Sequence, residues 1–250
     1  MSQNLHCKPL ISIITVCYNA EKVIEKTMLS VLCQSYKNIE YVIVDGMSTD
    51  KTLEIIERTL KSYKNVPVKI VSENDNGIYD AMNKAISYSN GDWLNFMNAG
   101  DVFSGPTIIS EIVSSGLMNT SSFIYSDFIA NDGHKARLIP QSLEKGKILH
   151  QSSLYKKSLH YKYGLFYVTH PYIVSDYLFF LQIPQGEFVK YSTPISVNDI
   201  SGISMQGFWL EYGRISADFM MRRISEGKFV FLVIKRFIYN IAKRMLRFVK

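Results

Sequence analysis

The apolar residues of the first hundred positions form short β-branched runs, separated by segments with helical spacing. Four runs are typical of buried strands, at 10–17, 39–45, 66–71 and 92–101. Apolar residues recur at every third or fourth position in the three intervening segments, which predicts helices at 19–33, 50–63 and 78–88. Asn19 is expected to cap the first helix. Strands that alternate with helices predict an α/β fold with a mostly parallel sheet flanked by helices.

The pattern becomes less regular after about residue 104. Further helices are predicted at 106–115 and 208–224, and strands at 122–128, 150–155 and 189–197. The segment 172–183 mixes apolar and aromatic residues around Asp176. The loss of regular strand-helix alternation after residue 104 predicts one domain over 1–226 that has two halves. A nucleotide-binding half would cover about 9–104, and an acceptor half would cover 105–226.

The last segment, 227–250, predicts a helix with one apolar face and one basic face. The apolar positions are Val230, Phe231, Ile234, Phe237, Ile238, Ile241, Met245, Phe248 and Val249. Residues 222–250 carry a net charge of +8, whereas the whole chain carries +6. Residues 1–221 therefore carry −2 and are mildly acidic. A basic amphipathic helix is typical of a segment that lies on an anionic membrane. The alternative is a helix that packs its apolar face on the domain.

The composition and the distribution of charged and apolar residues argue against several other classes of protein. The basic residues are not spread over a face, so no nucleic-acid partner is expected. The three cysteines have no metal-type or disulfide-type spacing, which favours a reducing compartment. No run reaches the ~18 apolar residues of a membrane span, and Met1 to Lys8 has no apolar signal region.

Carboxylates stand where predicted strands end. Asp45 follows the second strand, Asp75 lies in the turn after the third, and Asp101 closes the fourth. Ligands of open α/β sheets bind at this edge, and such acids suit ribose hydroxyls or a divalent cation that bridges phosphates. For Asp101 alone, the other interpretation is a cap of the following turn. The chain has neither GxGxxG nor GxxxxGK[ST], which weighs against dinucleotide enzymes and P-loop NTPases.

Five strings in this half resemble family-two glycosyltransferases of GT-A fold. They are ISIITVCYN at 11–19, TMLSVLCQSY at 27–36, EYVIVDGMSTD at 40–50, ENDNGIYDAMNK at 73–84 and GDWLNFMNAGD at 91–101. The resemblance covers about residues 10–104 and implies transfer of a sugar from a nucleotide-sugar donor, with inversion, to a hydroxyl.

The resemblance also implies roles for single residues. Thr15 and Tyr18 would lie at the nucleotide, Asp45 would pair with the base or ribose, and Asp75 would lie beside the nucleoside. Asp101 would hold a divalent metal, Mn²⁺ or Mg²⁺. The family commonly has two acids in this loop, whereas this chain has Asn98-Ala99-Gly100-Asp101, so Asn98 is assigned to a ribose hydroxyl.

The second half resembles one bacterial branch of that family at His150-Gln151, at Gly164-Leu165-Phe166 and at Ser175-Asp176-Tyr177. The implied general base is Asp176, and its apolar and aromatic neighbours are expected to raise its pKa. His150 is either a structural histidine or a contact to the phosphates or the metal.

These observations predict a metal-dependent hexosyltransferase of polysaccharide biosynthesis. Its partners would be a nucleotide-sugar donor and a glycan or lipid-linked acceptor. It would be cytoplasmic and peripheral on the inner face of the plasma membrane. Two other functions remain: a nucleotidyltransferase, and a membrane-bound scaffold of the same fold without turnover.

Overall fold

A computed structural model describes residues 8–143, 148–169, 173–199 and 208–248 of the chain. The predicted positions Tyr172, Val249 and Lys250 lie outside these ranges.

Within the described residues, the larger sheet has seven strands in the order β10–β6–β9–β4–β1–β2–β3. They are β1 Ile11–Cys17, β2 Ile39–Asp45, β3 Val68–Ser72, β4 Trp93–Phe96, β6 Phe123–Ser126, β9 Ser153–Lys156 and β10 Phe188–Tyr191. The pairs of β1 with β2, β2 with β3, and β1 with β4 are parallel. Strand β9 runs antiparallel to both of its neighbours. The predicted mostly parallel α/β sheet flanked by helices is therefore confirmed.

Helices cover both faces of this sheet. They are α1 Ile24–Leu32, α2 Thr52–Ser62, α3 Ile78–Tyr88, α4 Ile108–Ser114, α5 Leu117–Thr120, α6 Ser158–Tyr163 and α7 Ser175–Gln182. Ile13 of β1 packs in the cluster that includes α1 and α4, whereas its neighbour Ile14 packs in the cluster that includes α3 and α7. Successive side chains of a strand point to opposite faces, and both faces are buried here. This explains why β1 is apolar at nearly every position.

A second, smaller sheet joins the two halves. It consists of β5 Val102–Phe103, β7 Phe128–Asn131, β8 Ala136–Ile139 and β11 Ser196–Asp199, in the order β5–β11–β7–β8. Because β5 begins directly after Asp101 and pairs with β11, the end of β11 is brought next to that carboxylate.

The chain ends in two helices, α8 Phe208–Met220 and α9 Glu226–Phe248. The ring of Phe219 stacks on that of Phe229 with 4.6 Å between centroids. Six apolar side chains of α9 are each 45–62% exposed: Val230, Phe231, Ile234, Phe237, Ile238 and Ile241. The apolar face is thus not packed on the domain along this part of the helix. None of the helices in the described ranges is both long and apolar enough to cross a bilayer.

Three predictions of local structure are wrong. The fourth strand, predicted at 92–101, ends at Phe96, so Asp101 lies in the turn between β4 and β5 and not at the end of β4. Asn19 does not cap a helix, since α1 begins only at Ile24. Asn19 instead has φ 48° and accepts a hydrogen bond from the Thr49 backbone N–H, so it ties two loops together. The strand predicted at 189–197 is two strands, β10 and β11, which belong to different sheets. Apolar periodicity does not reveal a change of sheet within one run.

Candidate functional site

The residues predicted to lie at the nucleoside, which we call the nucleoside side of the candidate site, are at the carboxyl ends of β1, β2 and β3. Tyr18, in the loop after β1, is 63% exposed. Gly46 follows β2, and a Cβ atom there would come within 2.5 Å of Asp75 Oδ2 and 3.6 Å of the Tyr18 ring. The absence of a side chain at position 46 therefore lets the loops after β1 and β3 meet. Asp75 is held by the Gly77 backbone N–H, which donates to Oδ1 (2.8 Å).

Two residues predicted to bind the donor lie beneath this surface. Thr15 is fully buried, and its hydroxyl donates to the Met97 carbonyl (2.7 Å) and bonds to the Tyr41 hydroxyl (2.8 Å). Asp45 is also fully buried. It accepts hydrogen bonds from the backbone and hydroxyl of Ser48 and from Ser72 Oγ. Both side chains are thus engaged within the protein, and Asp45 orders the loop after β2, in which Gly46 approaches Asp75.

Asp101 is positioned by the turn that precedes it. Gly100 has φ 104°, a conformation that side chains other than hydrogen strongly disfavour. Thr27 of α1 supports this turn because its hydroxyl accepts from Gly100 N–H and donates to the Asp101 carbonyl. The carboxylate accepts from Gln151 Nε2 (2.8 Å) and from the Asp199 backbone N–H (3.0 Å). Asp101, which lies in the turn after β4, is thus hydrogen-bonded both to the His150-Gln151 segment and to the small sheet.

His150 and Asp176 are in direct contact. His150 Nδ1 lies 2.9 Å from Asp176 Oδ2, and His150 Nε2 lies 2.9 Å from Asn98 Nδ2. Asp176 Oδ1 accepts from the Tyr79 hydroxyl (2.8 Å) and from the Tyr177 backbone N–H (2.9 Å). A histidine that donates from Nδ1 to a carboxylate keeps Nε2 as an acceptor. That tautomer is consistent with Asn98 as the donor to Nε2.

The two carboxylates differ in their protonation chemistry. Burial raises the pKa of Asp101 to about 6, and the hydrogen bonds from Asp199 and Gln151 offset only part of that effect. Burial also acts to raise the pKa of Asp176, but hydrogen bonds from His150, Tyr79 and Tyr177 outweigh it, so this pKa lies below its ordinary value. The predicted upward shift of the Asp176 pKa is therefore wrong. Its neighbours are hydrogen-bond donors as well as aromatic rings.

The residues around Asp101 can accommodate a divalent cation, with unusual donors. The described residues contain no group of three His, Cys, Asp or Glu side chains that could hold a metal ion. However, Asn98 Oδ1 and Gln151 Oε1 are both buried without a hydrogen-bond partner. Amide oxygens are ligands that Mg²⁺ and Mn²⁺ accept, and a cation would satisfy them. One carboxylate and two amide oxygens thus form a donor set, which His150 Nε2 could join by giving up its hydrogen bond from Asn98.

One cavity connects these groups. It has a volume of about 40 Å³ and is lined by Asp101, His150, Gln151 and Asp176 among others. This is room for a cation or a few water molecules, so most of a nucleotide-sugar would have to lie in front of it.

The cavity is also lined by Tyr79, Asp199 and Arg214, for which the sequence predicts no role. Asp199 ends a strand, which is the signal that found Asp45 and Asp101. A lone tyrosine and a lone arginine in helices carry no such signal. Thr15, Tyr18, Asp45 and Asp75 do not line this cavity.

The comparisons with known proteins agree with this architecture. Residues 12–115 match the family Glycosyl transferase family 2. The region that matches is the one that carries the five strings, so the comparison agrees with the resemblance that they show.

Relatives and solved structures extend the comparison. An uncharacterised glycosyltransferase of Mycobacterium tuberculosis is 31% identical over 166 residues, which are 62% of each chain. A PGL/p-HBAD biosynthesis glycosyltransferase of Mycobacterium bovis is 30% identical over 66% of this chain and 63% of that protein. The chain thus spans less than two thirds of the length of these relatives.

The fold is also that of two solved glycosyltransferases. S. aureus TarS 1-349, in complex with UDP-GlcNAc, superposes with a TM-score of 0.70 at 18% identity over 91% of this chain and 71% of TarS 1-349. The mannosyltransferase PcManGT of Pyrobaculum calidifontis, in complex with GDP-Man and Mn²⁺, superposes with a TM-score of 0.67 at 16% identity. The match covers 88% of this chain and 66% of the PcManGT chain. Both confirm the predicted GT-A fold.

Proposed function

We propose that this protein is an inverting glycosyltransferase that moves a sugar from a nucleotide-sugar donor to a hydroxyl of a glycan or lipid-linked acceptor. The observation that carries the proposal is the cavity shared by Asp101, His150 and Asp176, next to the strand ends that carry Tyr18 and Asp75. A transferase of this class needs an anchor for the diphosphate and a base for the acceptor within one site.

The donor would bind across the carboxyl edge of the parallel strands. Tyr18 and Asp75 would contact the nucleoside directly. Asp45 and Thr15 would contribute by fixing the loops around it, unless the donor displaces their internal hydrogen bonds. Asn98 would bond a ribose hydroxyl or the cation.

Asp101, Asn98, Gln151 and His150 would hold the divalent cation. When bound, such an ion neutralises charge on the diphosphate. His150 can serve there because Asp176 orients its ring, an arrangement common among histidines that bind metals.

Asp176 would act as the general base. Its lowered pKa keeps it ionised, the form that can accept a proton. In the reaction, the acceptor oxygen forms a bond to the anomeric carbon while its proton passes to the Asp176 carboxylate. The bond between the anomeric carbon and the phosphate oxygen breaks, and its electron pair leaves with the nucleoside diphosphate.

A role in assembling a membrane-associated glycan is supported by two observations. One curated relative is named for PGL/p-HBAD biosynthesis. In this chain, α9 exposes an apolar face beside basic residues. We therefore expect α9 to bind the anionic inner face of the plasma membrane and to bring the enzyme to a lipid-linked acceptor.

Donor hydrolysis tests the activity. UDP-, GDP- and TDP-sugars are incubated with the protein in Mn²⁺, in Mg²⁺ and in EDTA, and nucleoside diphosphate release is measured. We expect release from one nucleotide class, stimulated by a divalent cation. If none of these donors is bound or hydrolysed in any of the three conditions, the proposed activity is wrong.

Vesicle sedimentation tests the membrane helix. The full chain should bind anionic vesicles in preference to neutral ones, and a chain that ends at Gly227 should not. Equal binding of both chains to anionic vesicles would remove α9 from the proposal.

A further inference from the structure

Arg214 is a cation that lines the cavity, and its charge acts on the neighbouring hydroxyl of Tyr177. It lies near the middle of α8, is half-buried, and lines the cavity together with Asp101, His150 and Asp176. Within the described parts of the chain its guanidinium forms no hydrogen bond and no ion pair, although three carboxylates line the same cavity. A partly desolvated guanidinium that is not neutralised favours an anionic ligand.

A second arginine of the same region, Arg223, forms an ion pair within the protein. Arg223 Nε lies 3.2 Å from Asp218 Oδ1, and Asp218 also accepts a hydrogen bond from the Tyr177 hydroxyl (2.5 Å). Asp218 is therefore already shared by Arg223 and Tyr177. Arg214 is left facing the cavity.

The backbone of α8 is held close to the element that carries Asp176. A Cβ atom at Gly213 would lie 2.7 Å from Val174 Cγ1, so α8 approaches the start of α7 more closely than a side chain at position 213 would allow. Ala217, one turn further along α8, is 2% exposed. Close packing of this kind is rigid, so Arg214 keeps a fixed place relative to Asp176.

We propose that Arg214 binds the diphosphate of the donor and stabilises the charge that develops on it as the sugar leaves. This inference rests on the proposed function. When the bond from the anomeric carbon to the phosphate oxygen breaks, the electron pair stays on the diphosphate. A guanidinium can bond two of its oxygens at once. The loop 98–101 offers one carboxylate, so it would hold a cation less tightly than two acids would, and a guanidinium at the diphosphate would supply positive charge that does not depend on the cation.

The test compares nucleotides that differ only in their phosphates. Wild type, Arg214→Gln, Arg214→Lys and the control Arg222→Gln are titrated calorimetrically with UDP, GDP and TDP, and with the corresponding nucleosides, in Mn²⁺ and in EDTA. Arg222 is exposed and lies beyond the end of α8, so its variant removes the same charge outside the cavity. Thermal unfolding of each variant checks that it is folded.

We expect Arg214→Gln to weaken binding of the preferred nucleoside diphosphate by about 10- to 100-fold. Affinity for the nucleoside should not change. Arg214→Lys should recover part of the loss, because it restores the charge without the bidentate geometry. Arg222→Gln should bind as wild type does.

Two results would overturn the inference while leaving the proposed function intact. One is unchanged diphosphate affinity in a folded Arg214→Gln protein. The other is an equal loss for nucleoside and nucleoside diphosphate, which would indicate a general disturbance of the site. If the wild-type protein binds none of the three diphosphates, the proposed function itself fails.

Discussion

The two ends of the site are built differently. On the nucleoside side, Asp45 ends β2 and Asp75 lies in the loop after β3, and hydrogen bonds from the loop that contains or follows each acid hold it, with one more to Asp45 from Ser72 of the adjacent strand. On the transfer side, Asp176 is held by His150 and Tyr79, which are 26 and 97 positions away in the chain. Aromatic packing supports that contact: the Tyr79 ring lies 5.7 Å from Phe166, which lies 5.4 Å from Phe179.

This difference suggests that donor binding and proton transfer can be damaged separately. The nucleoside side depends on backbone turns and close approach, whereas the transfer side depends on a packed aromatic layer. Asp101 belongs to both, since it follows the parallel strand β4 and bonds Gln151 and Asp199 of the second half.

The largest effect is expected at this shared residue. Asp101→Asn should reduce transfer by at least about 1000-fold, because it removes the one carboxylate of the loop 98–101, which we propose holds the cation at the diphosphate. The measurement is kcat/KM for the preferred donor, together with Mn²⁺ affinity. Asp92→Asn, an exposed acid before the start of β4, is the matched control. Retained activity in Asp101→Asn would place the anchor of the diphosphate elsewhere.

Asp176→Asn should separate the two sides. Loss of the proposed base should lower kcat by about 1000-fold, while affinity for the nucleoside diphosphate in EDTA, where no cation is bound, stays near that of wild type. Steady-state kinetics and calorimetry on the same preparation measure both quantities. A fall in affinity as large as the fall in kcat would contradict the division of the site.

The aromatic packing on the transfer side should also make the stability of the protein depend on pH. His160 stacks on Phe179 with 4.2 Å between centroids, and burial lowers its pKa to about 4. The unfolded chain therefore binds a proton more readily, and stability is lost as pH falls from about 6.5 to about 4. The loss should approach about 3 kcal/mol. Urea unfolding at several pH values measures it, and His160→Gln should flatten this part of the profile. An unchanged slope in that variant would assign the titration to another group.

The smallest effect is expected at Gly46. In Gly46→Ala the new methyl group would meet Asp75 Oδ2, so the carboxylate must shift. A side chain can move cheaply, and we expect donor affinity to fall only about tenfold with kcat unchanged. Gly105→Ala, where a Cβ atom meets nothing within 4 Å, is the control. If both variants bind the donor equally well, the contact between Gly46 and Asp75 has no part in nucleoside binding.

The sequence by itself determined the order of strands and helices in the first half and the acids at the strand ends. Continuous apolar runs identify buried strands, and parallel strands bring their carboxyl ends to one edge, so Asp45 and Asp101 follow from local pattern. The run of residues that ends in Asp45 matches β2 at both ends. Local pattern also found the amphipathic character of α9.

Only the tertiary structure decided what those residues contact. Asn19 ties two loops instead of capping a helix, and the aromatic neighbours of Asp176 include donors that lower its pKa. Arg214 reaches the cavity because Gly213 lets α8 pack against Val174. Hydrogen bonds, burial and charge depend on distances between segments far apart in the chain, and periodicity along the chain carries no information about those distances.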